Sequence, residues 1–271
     1  MKRIEPGIYP WMPNERYHKS EGISNSGLGK IAVAPRRYQY ELEHPKPGTD
    51  AMNVGQAFHT LTLEPNKFDE RFAVFSGDLR TNEAKAKYAE MEASGKTVVR
   101  ESQLENVQGM VRAVHDHPEA MAYLEFEDSY FENSIFWNDE ETGVLCKVRP
   151  DIITINKKLC CITDLKKCQD ASERGFRKTI ANYYYHHQAA FYLKGGSVAT
   201  GTAIQGFTWI AVEEQPPHLI GIWLADAEMI EEGTRLYKQN LQKYARCLKT
   251  NTWPGYEGPW PKPISLPSWA L

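Results

Sequence analysis

The sequence predicts a single α/β (α+β) domain in which a mixed β-sheet is flanked by helices. Its composition is 41% hydrophobic and 25% charged, close to an average globular protein, which excludes wholesale disorder, collagen and coiled coils. A length of 271 residues fits one large or two small domains, and no internal repeat or linker divides the chain. Segments of helical composition alternate with segments of period-two hydrophobicity, so residues 1–271 are expected to form one domain.

The N-terminal half is predicted to be mainly helical, after a loop-rich region of about 48 residues. Ser24-Asn25-Ser26 indicates a helix start, because these side-chain oxygens accept bonds from exposed helical N–H groups. A second short helix is expected from Pro35, since proline is favoured in the first turn. A third is expected from Asp50, as its cap, to about Leu63. Further helices are predicted over 82–93 and 101–116.

The C-terminal half is predicted to supply the sheet. Period-two patterns indicate three strands in succession, joined by turns, and two more strands after a pair of helices. The last 18 residues contain five of the 16 prolines, so a proline-rich irregular tail is expected over about 250–271. The predicted strands cover 129–137, 144–155, 159–165, 206–213 and 219–225, and the predicted helices cover 172–181, 183–194 and 226–248.

The net charge of -3 alone argues against a nucleic-acid-binding protein, but the charge is segregated along the chain. Residues 147–194 contain ten Lys/Arg and four Asp/Glu, a local charge of +6, so the remainder sums to -9. Residues 119–141 contain eight acidic residues and no Lys or Arg. The chain lacks an apolar run near the roughly 18 residues of a membrane helix and a recognisable signal peptide, which predicts a cytoplasmic protein with no membrane partner.

The cysteines favour reduced, mostly buried thiols. No CxxC pair is present and two of the five are adjacent, which is a poor pattern for zinc, a disulfide or an iron–sulfur cluster. The five are Cys146, Cys160, Cys161, Cys168 and Cys247.

Two aspartates lie symmetrically about a predicted hairpin turn centred between Lys157 and Lys158. In a regular hairpin Asp151 faces Asp164, and Arg149 faces Lys166, so all four share one sheet face. The strands around them are apolar, where unpaired charges are costly. Facing carboxylates repel unless a proton or cation lies between them.

These four residues have two interpretations. A hard divalent cation takes carboxylate oxygens, and a lysine two residues after one carboxylate can meet a water or a developing anion beside it. That combination suits metal-assisted phosphodiester hydrolysis. A salt-bridged sheet face, with Arg149–Asp151 and Asp164–Lys166 pairs, fits the same residues.

Three motifs add a family resemblance. Arg149-Pro150-Asp151, followed after twelve residues by Asp164-Leu165-Lys166, has the form PD…(D/E)xK and resembles the restriction-endonuclease-like nuclease superfamily. The segment YHHQAAFY over 185–192 resembles the QxxxY helix of its exonuclease branch, with Gln188 and Tyr192 on one helix face. GQAFH over 55–59 and LEP over 63–65 resemble the RecE helix that supplies a histidine metal ligand. Shorter similarities, in order along nearly the whole chain, lie at 23–26, 134–137, 141–146 and 266–270.

The RecE-type, more distantly lambda-exonuclease-like, resemblance implies a restriction-endonuclease-like core and a metal site. It implies Mg²⁺, with Mn²⁺ as a substitute and two ions once substrate binds. Lys166 would orient or help deprotonate the attacking water, Gln188 would position that water or a metal-bound group, and Tyr192 would support it or contact DNA. Without the resemblance, His59 would be a helix residue whose hydrogen bonds the fold satisfies. Tyr192 would be an aromatic residue packed on its own helix. The implied metal ligands are His59, Asp151, Asp164 and a main-chain carbonyl near Leu165.

Exonucleases of this type resect from a 5′ end, which requires a pocket for the terminal phosphate. Ser24 and Ser26 fit an anion site at a helix N-terminus, and the guanidinium of Arg149 could grip a phosphate. The lambda enzyme has serine at the arginine's position. Other basic candidates for phosphate tracking, each equally consistent with a solvated helix face, are Arg36, Arg37, Arg174, Arg177, Lys178 and Lys194. Candidates for base stacking or a wedge are Tyr183, Tyr184, Tyr185 and His186.

The function implied is a Mg²⁺-dependent 5′–3′ double-strand DNA exonuclease that releases mononucleotides and leaves 3′ overhangs for single-strand-annealing recombination and repair, as in a prophage. Its implied partners are duplex DNA ends, a RecT-type annealing protein and further copies of the chain in a trimeric or tetrameric ring. In such a ring, the acidic stretch 119–141 would face away from DNA or meet a neighbouring subunit. The alternatives are another nuclease of this fold, either an endonuclease or a Cas4-like enzyme, and a non-catalytic DNA-binding assembly module.

Overall fold

A computed structural model describes residues 4–46, 48–156 and 159–266. The strands in these ranges are β1 (Gly7–Tyr9), β2 (Phe72–Phe75), β3 (Thr97–Arg100), β4 (Ser129–Phe131), β5 (Ser134–Asn138), β6 (Leu145–Val148), β7 (Ile152–Ile155), β8 (Cys160–Cys168), β9 (Gly206–Glu213) and β10 (Ile220–Leu224). The α-helices are α1 (Asn14–Lys19), α2 (Asn25–Val33), α3 (Pro35–Glu43), α4 (Asp50–Leu63), α5 (Phe68–Arg71), α6 (Asn82–Ala93), α7 (Glu101–His115), α8 (Pro118–Leu124), α9 (Glu173–Tyr183), α10 (Tyr185–Thr200) and α11 (Ala227–Thr250).

The main sheet has five strands in the order β10-β9-β8-β7-β4. Strands β8 and β9 are parallel, and the other neighbours in this sheet are antiparallel. A three-stranded antiparallel sheet has the order β1-β5-β6, and β2 pairs with β3 in a small parallel sheet. The predicted mixed sheet flanked by helices is therefore confirmed.

Alternate residues of the main sheet contribute to two hydrophobic cores. Ile162 of β8 and Trp209 of β9 pack in one core with helix α10 residues such as Phe191. Leu165 and Ile210, whose side chains point to the opposite face, pack in a second core with residues of α4 and α7. Burial on both faces explains why these strands are almost continuously apolar, and it places α4 and α10 on either side of β8.

Most of the predicted helices of the N-terminal half are confirmed, with one correction. Helix α2 begins after Ser24, whose hydroxyl accepts a bond from the Gly27 N–H at 3.3 Å. The prediction of Asp50 as the cap of α4 is wrong, because the Thr49 hydroxyl caps the helix by accepting from the Met52 N–H. Elements α1, α5, α8, β1, β2 and β3 were not predicted, because each has only three to seven residues and shows no clear periodicity.

Two of the predicted strands are broken, each into pieces that join different sheets. The predicted strand 129–137 is β4 and β5, separated at Glu132, which has a φ of 52°. The predicted strand 144–155 is β6 and β7, separated around Pro150, which has no N–H to donate to a ladder. Both breaks lie next to Asp151, since the Glu132 N–H donates to the Asp151 carbonyl at 3.0 Å.

The predicted register between β7 and β8 is confirmed where the two strands pair. Ile152 lies opposite Thr163 and Ile155 lies opposite Cys160, so Asp151 and Asp164 are the next positions beyond the ladder. The turn residues 157 and 158 lie outside the described residues. Strand β8 continues to Cys168, past the predicted end at 165, because it pairs with β9 from Cys161 to Cys168.

The remaining C-terminal elements follow the prediction within a few residues, apart from α10, which runs to Thr200 instead of 194. Residues 251–266 are irregular, as expected of a proline-rich tail. Within the predicted similarity over 266–270, residues 267–270 lie outside the described residues. Across the described ranges, no helix combines the length and apolarity needed to cross a bilayer.

Candidate active site

The buried carboxylate of Asp151 joins two distant parts of the chain. Its Oδ1 lies 3.2 Å from His59 Nδ1, and its Oδ2 accepts a hydrogen bond from the Leu165 N–H at 2.7 Å. Helix α4 presents the histidine because its neighbours Ala57 and Phe58 are fully buried in the core beside β8. The structure therefore brings His59 to the predicted aspartate.

Each of these two groups favours the charged form of the other. Burial alone would lower the pKa of His59, but the Asp151 carboxylate outweighs it and raises that pKa to about 9. Burial alone would raise the pKa of Asp151, and the imidazole, with Lys166 and the Leu165 N–H, lowers it below the ordinary value. Without a metal ion, the histidine thus acts as a counterion of the aspartate.

Asp164 is buried and lies between a cation and an amide. Its Oδ2 is 2.5 Å from Lys166 Nζ, and its Oδ1 accepts a hydrogen bond from Gln188 Nε2 at 3.0 Å. Lys166 follows two residues later on β8, so both side chains point to the same face of the sheet. The predicted D-x-K unit and the glutamine of the QxxxY segment therefore meet at one carboxylate.

The two aspartates have opposite pKa shifts. Burial raises the pKa of Asp164 to about 6, an effect that Lys166 opposes and that the negative charge of Asp151 reinforces. Burial alone would lower the pKa of Lys166, but the Asp164 carboxylate keeps that pKa raised and the ammonium charged. The site thus holds two buried carboxylates close together, with a lysine beside them that stays charged.

Glu132 is a site residue that the sequence did not reveal. One ligand atom each of His59, Glu132 and Asp151 lie within 4.8 Å of one another. Burial, together with the neighbouring Asp151, raises the pKa of the glutamate. Its only sequence signal is a lone acidic residue inside an apolar β-pattern. We refer to His59, Glu132, Asp151, Asp164 and Lys166 as the ionic cluster.

Arg149 is close to the cluster but does not face Lys166 as the hairpin register predicted. The β7–β8 ladder ends at Ile152, so Arg149 lies outside it. Its Nε donates to Glu132 Oε2 at 2.6 Å, and its Nη1 donates to the Met12 carbonyl at 2.8 Å and to Ser134 Oγ at 3.0 Å. In this structure the arginine positions Glu132, and phosphate binding by Arg149 stays a prediction.

Tyr192 lies one helical turn from Gln188 and reaches the same site. The pKa of its phenol is well above the ordinary value, mainly because the group is buried and also because Tyr17, Asp164 and Asp151 are near. Gln188 lies within hydrogen-bonding reach of the phenol. The QxxxY spacing therefore places both side chains behind Asp164, as predicted for one helix face.

The residues of the ionic cluster fit a divalent metal ion. Carboxylate oxygens suit Mg²⁺ and Mn²⁺, and an imidazole shifts the preference toward transition metals such as Mn²⁺. Asp164 Oδ2 is buried and ion-paired with the Lys166 ammonium at 2.5 Å. The alternative of a purely salt-bridged face uses the same residues, with Glu132 paired to Arg149 and Asp164 paired to Lys166.

The other predicted site residues lie at the periphery. Ser24 is half-buried and Ser26 is exposed at the start of α2, with their hydroxyls 3.0 Å apart. The Leu165 N–H bonds Asp151, while a metal-binding role of its carbonyl stays a prediction. Three basic residues are exposed on α9, and their DNA contacts stay predictions: Arg174, Arg177 and Lys178.

Comparisons with known proteins identify the family to which the chain belongs. A family model described as a PDDEXK-like domain of unknown function (DUF3799) matches residues 24–259, so the chain belongs to this family and to the PD-(D/E)xK superfamily. A crystal structure from Eubacterium rectale, described as a "Putative exonuclease", is 15% identical, covers 95% of this chain and 97% of its own, and has a TM-score of 0.65. A second structure, SSO0001, is 14% identical, covers 83% and 77%, and has a TM-score of 0.36. No curated protein matches the chain.

Proposed function

We propose that this member of the PDDEXK-like family is a metal-dependent 5′–3′ exonuclease of RecE type that acts on the ends of double-stranded DNA. The observation that carries the proposal is the convergence of Asp151, Asp164 and Lys166 with Gln188 at one buried position. The likeness to the Eubacterium rectale structure is a likeness of fold, and the name of that protein is consistent with the proposal.

The metal ligands in this proposal are His59, Asp151 and Asp164, with the main-chain carbonyl of Leu165. A bound Mg²⁺ or Mn²⁺ ion polarises the phosphate and lowers the pKa of a nearby water, and two ions are expected with substrate. The fold holds this donor set in place before the substrate arrives, because the Leu165 N–H orients Asp151 and the Gln188 amide orients Asp164.

Lys166 has two tasks in the proposed reaction. Its ammonium lies against Asp164 and over the ring of Tyr185, with Nζ 4.9 Å from the ring centroid, so its position is fixed from two sides. A fixed cation beside the carboxylates orients the attacking water and stabilises negative charge that develops on the phosphate. Tyr192 supports Gln188 from one turn further along α10.

Recognition of the 5′ phosphate is assigned to residues around this centre. Ser24 and Ser26 offer hydroxyls at a helix N-terminus, where an anion is favoured. Arg149 would have to exchange an internal bond for the phosphate, since its guanidinium is engaged by Glu132 and by two oxygens of the N-terminal region and β5. Phosphate tracking along the duplex is assigned to the basic side chains on α9.

The wider biological role follows from the same family resemblance. Resection from 5′ ends leaves 3′ single strands, which are the substrate of a RecT-type annealing protein in recombination. A trimeric or tetrameric ring of this chain around DNA would make resection processive. Light scattering coupled to size-exclusion chromatography tests the ring directly, because a monomer at micromolar concentration contradicts it.

One digestion experiment tests activity, direction and phosphate recognition together. A linear duplex labelled at either the 5′ or the 3′ end is incubated with the protein in Mg²⁺, with and without a 5′ phosphate. We expect early release of the 5′ label as mononucleotide, faster with the phosphate. Release from the 3′ label first would contradict the polarity.

A covalently closed plasmid serves as the control substrate. An exonuclease leaves it intact, whereas an endonuclease or a Cas4-like enzyme with endonuclease activity cuts it. A non-catalytic DNA-binding module digests neither substrate, so each rival function gives its own result.

A further inference from the structure

The junction between α9 and α10 carries three consecutive tyrosines, two of which project into solvent. The Tyr183 side chain is 69% exposed and the Tyr184 side chain is 55% exposed. Tyr184 links the helices with a left-handed backbone, at φ 56° and ψ 40°. That conformation disfavours a bulky side chain and is usually given to glycine or asparagine. Strained positions of this kind concentrate at functional sites.

Tyr183 is connected to the ionic cluster by aromatic contacts, whereas the ring of Tyr184 lies beside that of His186. The ring of Tyr183 stacks on that of Tyr185, with centroids 5.8 Å apart and planes inclined by 25°. Lys166 Nζ lies 4.9 Å from the centroid of the Tyr185 ring and 2.5 Å from Asp164. An exposed aromatic surface is therefore continuous with the residue that is proposed to act at the scissile phosphate.

Helix α9, which ends at Tyr183, also carries basic side chains. Arg174, Arg177 and Lys178 are exposed on α9 at helical spacings of three and four, so they share one face. Lys178 precedes Tyr183 by five residues, which is about 7.5 Å along a helix axis and about 140° around it, so Tyr183 lies at the end of the helix and not on the basic face. Among the three, only Arg177 has an ion pair with an acidic residue, Glu173 at 3.4 Å on the surface. Basic side chains and exposed aromatic rings are the two kinds of group that bind single-stranded nucleic acid.

We propose that Tyr183 and Tyr184 form a stacking subsite for unpaired nucleobases of the DNA strand that enters the active site. The inference rests on the proposed nuclease function and assigns a ligand to the junction between α9 and α10. An aromatic ring stacks on every base, so the subsite holds the strand without reading its sequence. It would keep the substrate strand apart from its complement while the basic residues of α9 follow the phosphates.

The test separates stacking on bases from binding of the phosphate backbone. Fluorescence anisotropy in EDTA, where no cleavage occurs, compares single-stranded oligothymidylate with an abasic oligonucleotide of equal length. We expect wild-type protein to bind the thymidylate roughly tenfold more tightly. The double variant Tyr183→Ala, Tyr184→Gly should bind both oligonucleotides with the affinity that wild type has for the abasic one.

Two controls exclude loss of the fold as the cause. Tyr184→Gly alone keeps the left-handed backbone at lower strain, so its melting temperature should not fall. Tyr256→Ala removes a ring that is 70% exposed in the C-terminal region, and its preference for bases should be unchanged.

Two results would overturn the stacking subsite: a wild-type protein with equal affinity for both oligonucleotides, or a double variant that keeps the preference. These outcomes are distinct from failure of the proposed function. If wild type digests labelled duplex but shows no base preference, only the stacking inference is wrong. If wild type digests no DNA at all, the nuclease proposal is wrong, whatever the oligonucleotides show.

Discussion

Two histidines of this domain lie in surroundings of opposite character. His59, in the ionic cluster, lies 3.2 Å from the Asp151 carboxylate, which raises its pKa to about 9 against the effect of burial. His187, on α10, lies between two amides: its Nδ1 is 2.6 Å from Asn25 Oδ1, and its Nε2 is 3.3 Å from Asn240 Nδ2. Burial lowers the pKa of His187 to about 4, with a small contribution from His186. We call Asn25, His187 and Asn240 the neutral triad.

The ionic cluster is a site that can exchange a cation, whereas the neutral triad only joins helices. In the neutral triad, Nδ1–H donates to Asn25 and Nε2 accepts from Asn240, so a single neutral tautomer satisfies every group. In the ionic cluster, three carboxylates lie close together in a buried site, and their cationic partners are His59, Lys166 and the neighbouring Arg149. Adjacent carboxylates are oxygen ligands of the kind that a divalent metal ion takes, whereas the neutral triad contains no carboxylate.

Asp164→Asn is the change with the largest expected effect, because it removes a metal ligand and the partner of Lys166. We expect duplex digestion to slow by ~10²–10⁴-fold, as for loss of other groups that act directly in a transition state. The fold should survive, since Gln188 can still bond the side-chain oxygen. Rates of labelled-duplex digestion check this, with Asn240→Ala of the neutral triad as the comparison. Equal losses in both variants would erase the distinction between the two regions.

His187→Ala should have the opposite profile and mainly reduce stability. It leaves a cavity and two amides without a partner, so the free energy of unfolding should fall by about 2–4 kcal/mol. Digestion at a temperature where the variant is folded should stay near the wild-type rate. Urea unfolding checks the first statement, with the exposed His115→Ala as a control expected within about 0.5 kcal/mol of wild type. A stable His187→Ala protein would show that the triad does not join the helices.

The stability contributed by neutral His187 should disappear in acid. Its folded pKa of about 4 is below the unfolded value of about 6.5, so the unfolded chain binds the proton first as the pH falls. The contribution is therefore complete above pH 6.5 and is lost between pH 6.5 and 4, at most about 3 kcal/mol. The raised pKa of Asp164 gives the opposite slope in this window, so wild type must be compared with His187→Gln at each pH. A difference in unfolding free energy that does not change with pH would contradict the assignment.

Arg177→Ala should have the smallest effect on stability, because its ion pair with Glu173 is exposed and such pairs contribute ~0–1 kcal/mol. Its expected effect is on DNA binding, where the slope of log affinity against log salt should fall by about one unit. Anisotropy titrations with duplex DNA at several salt concentrations in EDTA measure the slope. Lys85→Ala, on helix α6, is the surface control, and an equal slope in both variants would remove α9 from the DNA interface.

The sequence predicts the centre of the site better than its rim. The facing of Asp151 and Asp164 follows from symmetry about a turn, because a two-residue period fixes which positions oppose each other. The Gln188–Tyr192 pair follows from helical spacing in the same way. These relations depend only on local geometry, which the residue pattern specifies.

Three features of the site could not be derived from local pattern. His59 reaches Asp151 only because α4 packs on β8, a tertiary contact that the sequence indicates through family resemblance alone. Glu132 enters the cluster because the chain turns at a positive φ after β4 pairs with β7. Arg149 leaves the predicted hairpin because Pro150 ends β6, and it then bonds the glutamate instead of facing Lys166. Each depends on how separate elements meet.

Calorimetric titration of Mn²⁺ into metal-free protein tests the central claim, that the ionic cluster is a metal site and not a set of structural salt bridges. We predict saturable binding to wild type and to His187→Gln, and at least ~10-fold weaker binding to Asp151→Asn, since a metal ligand is lost while the side-chain shape is kept. Absence of saturable binding to wild type, or equal affinity in Asp151→Asn, would contradict the account.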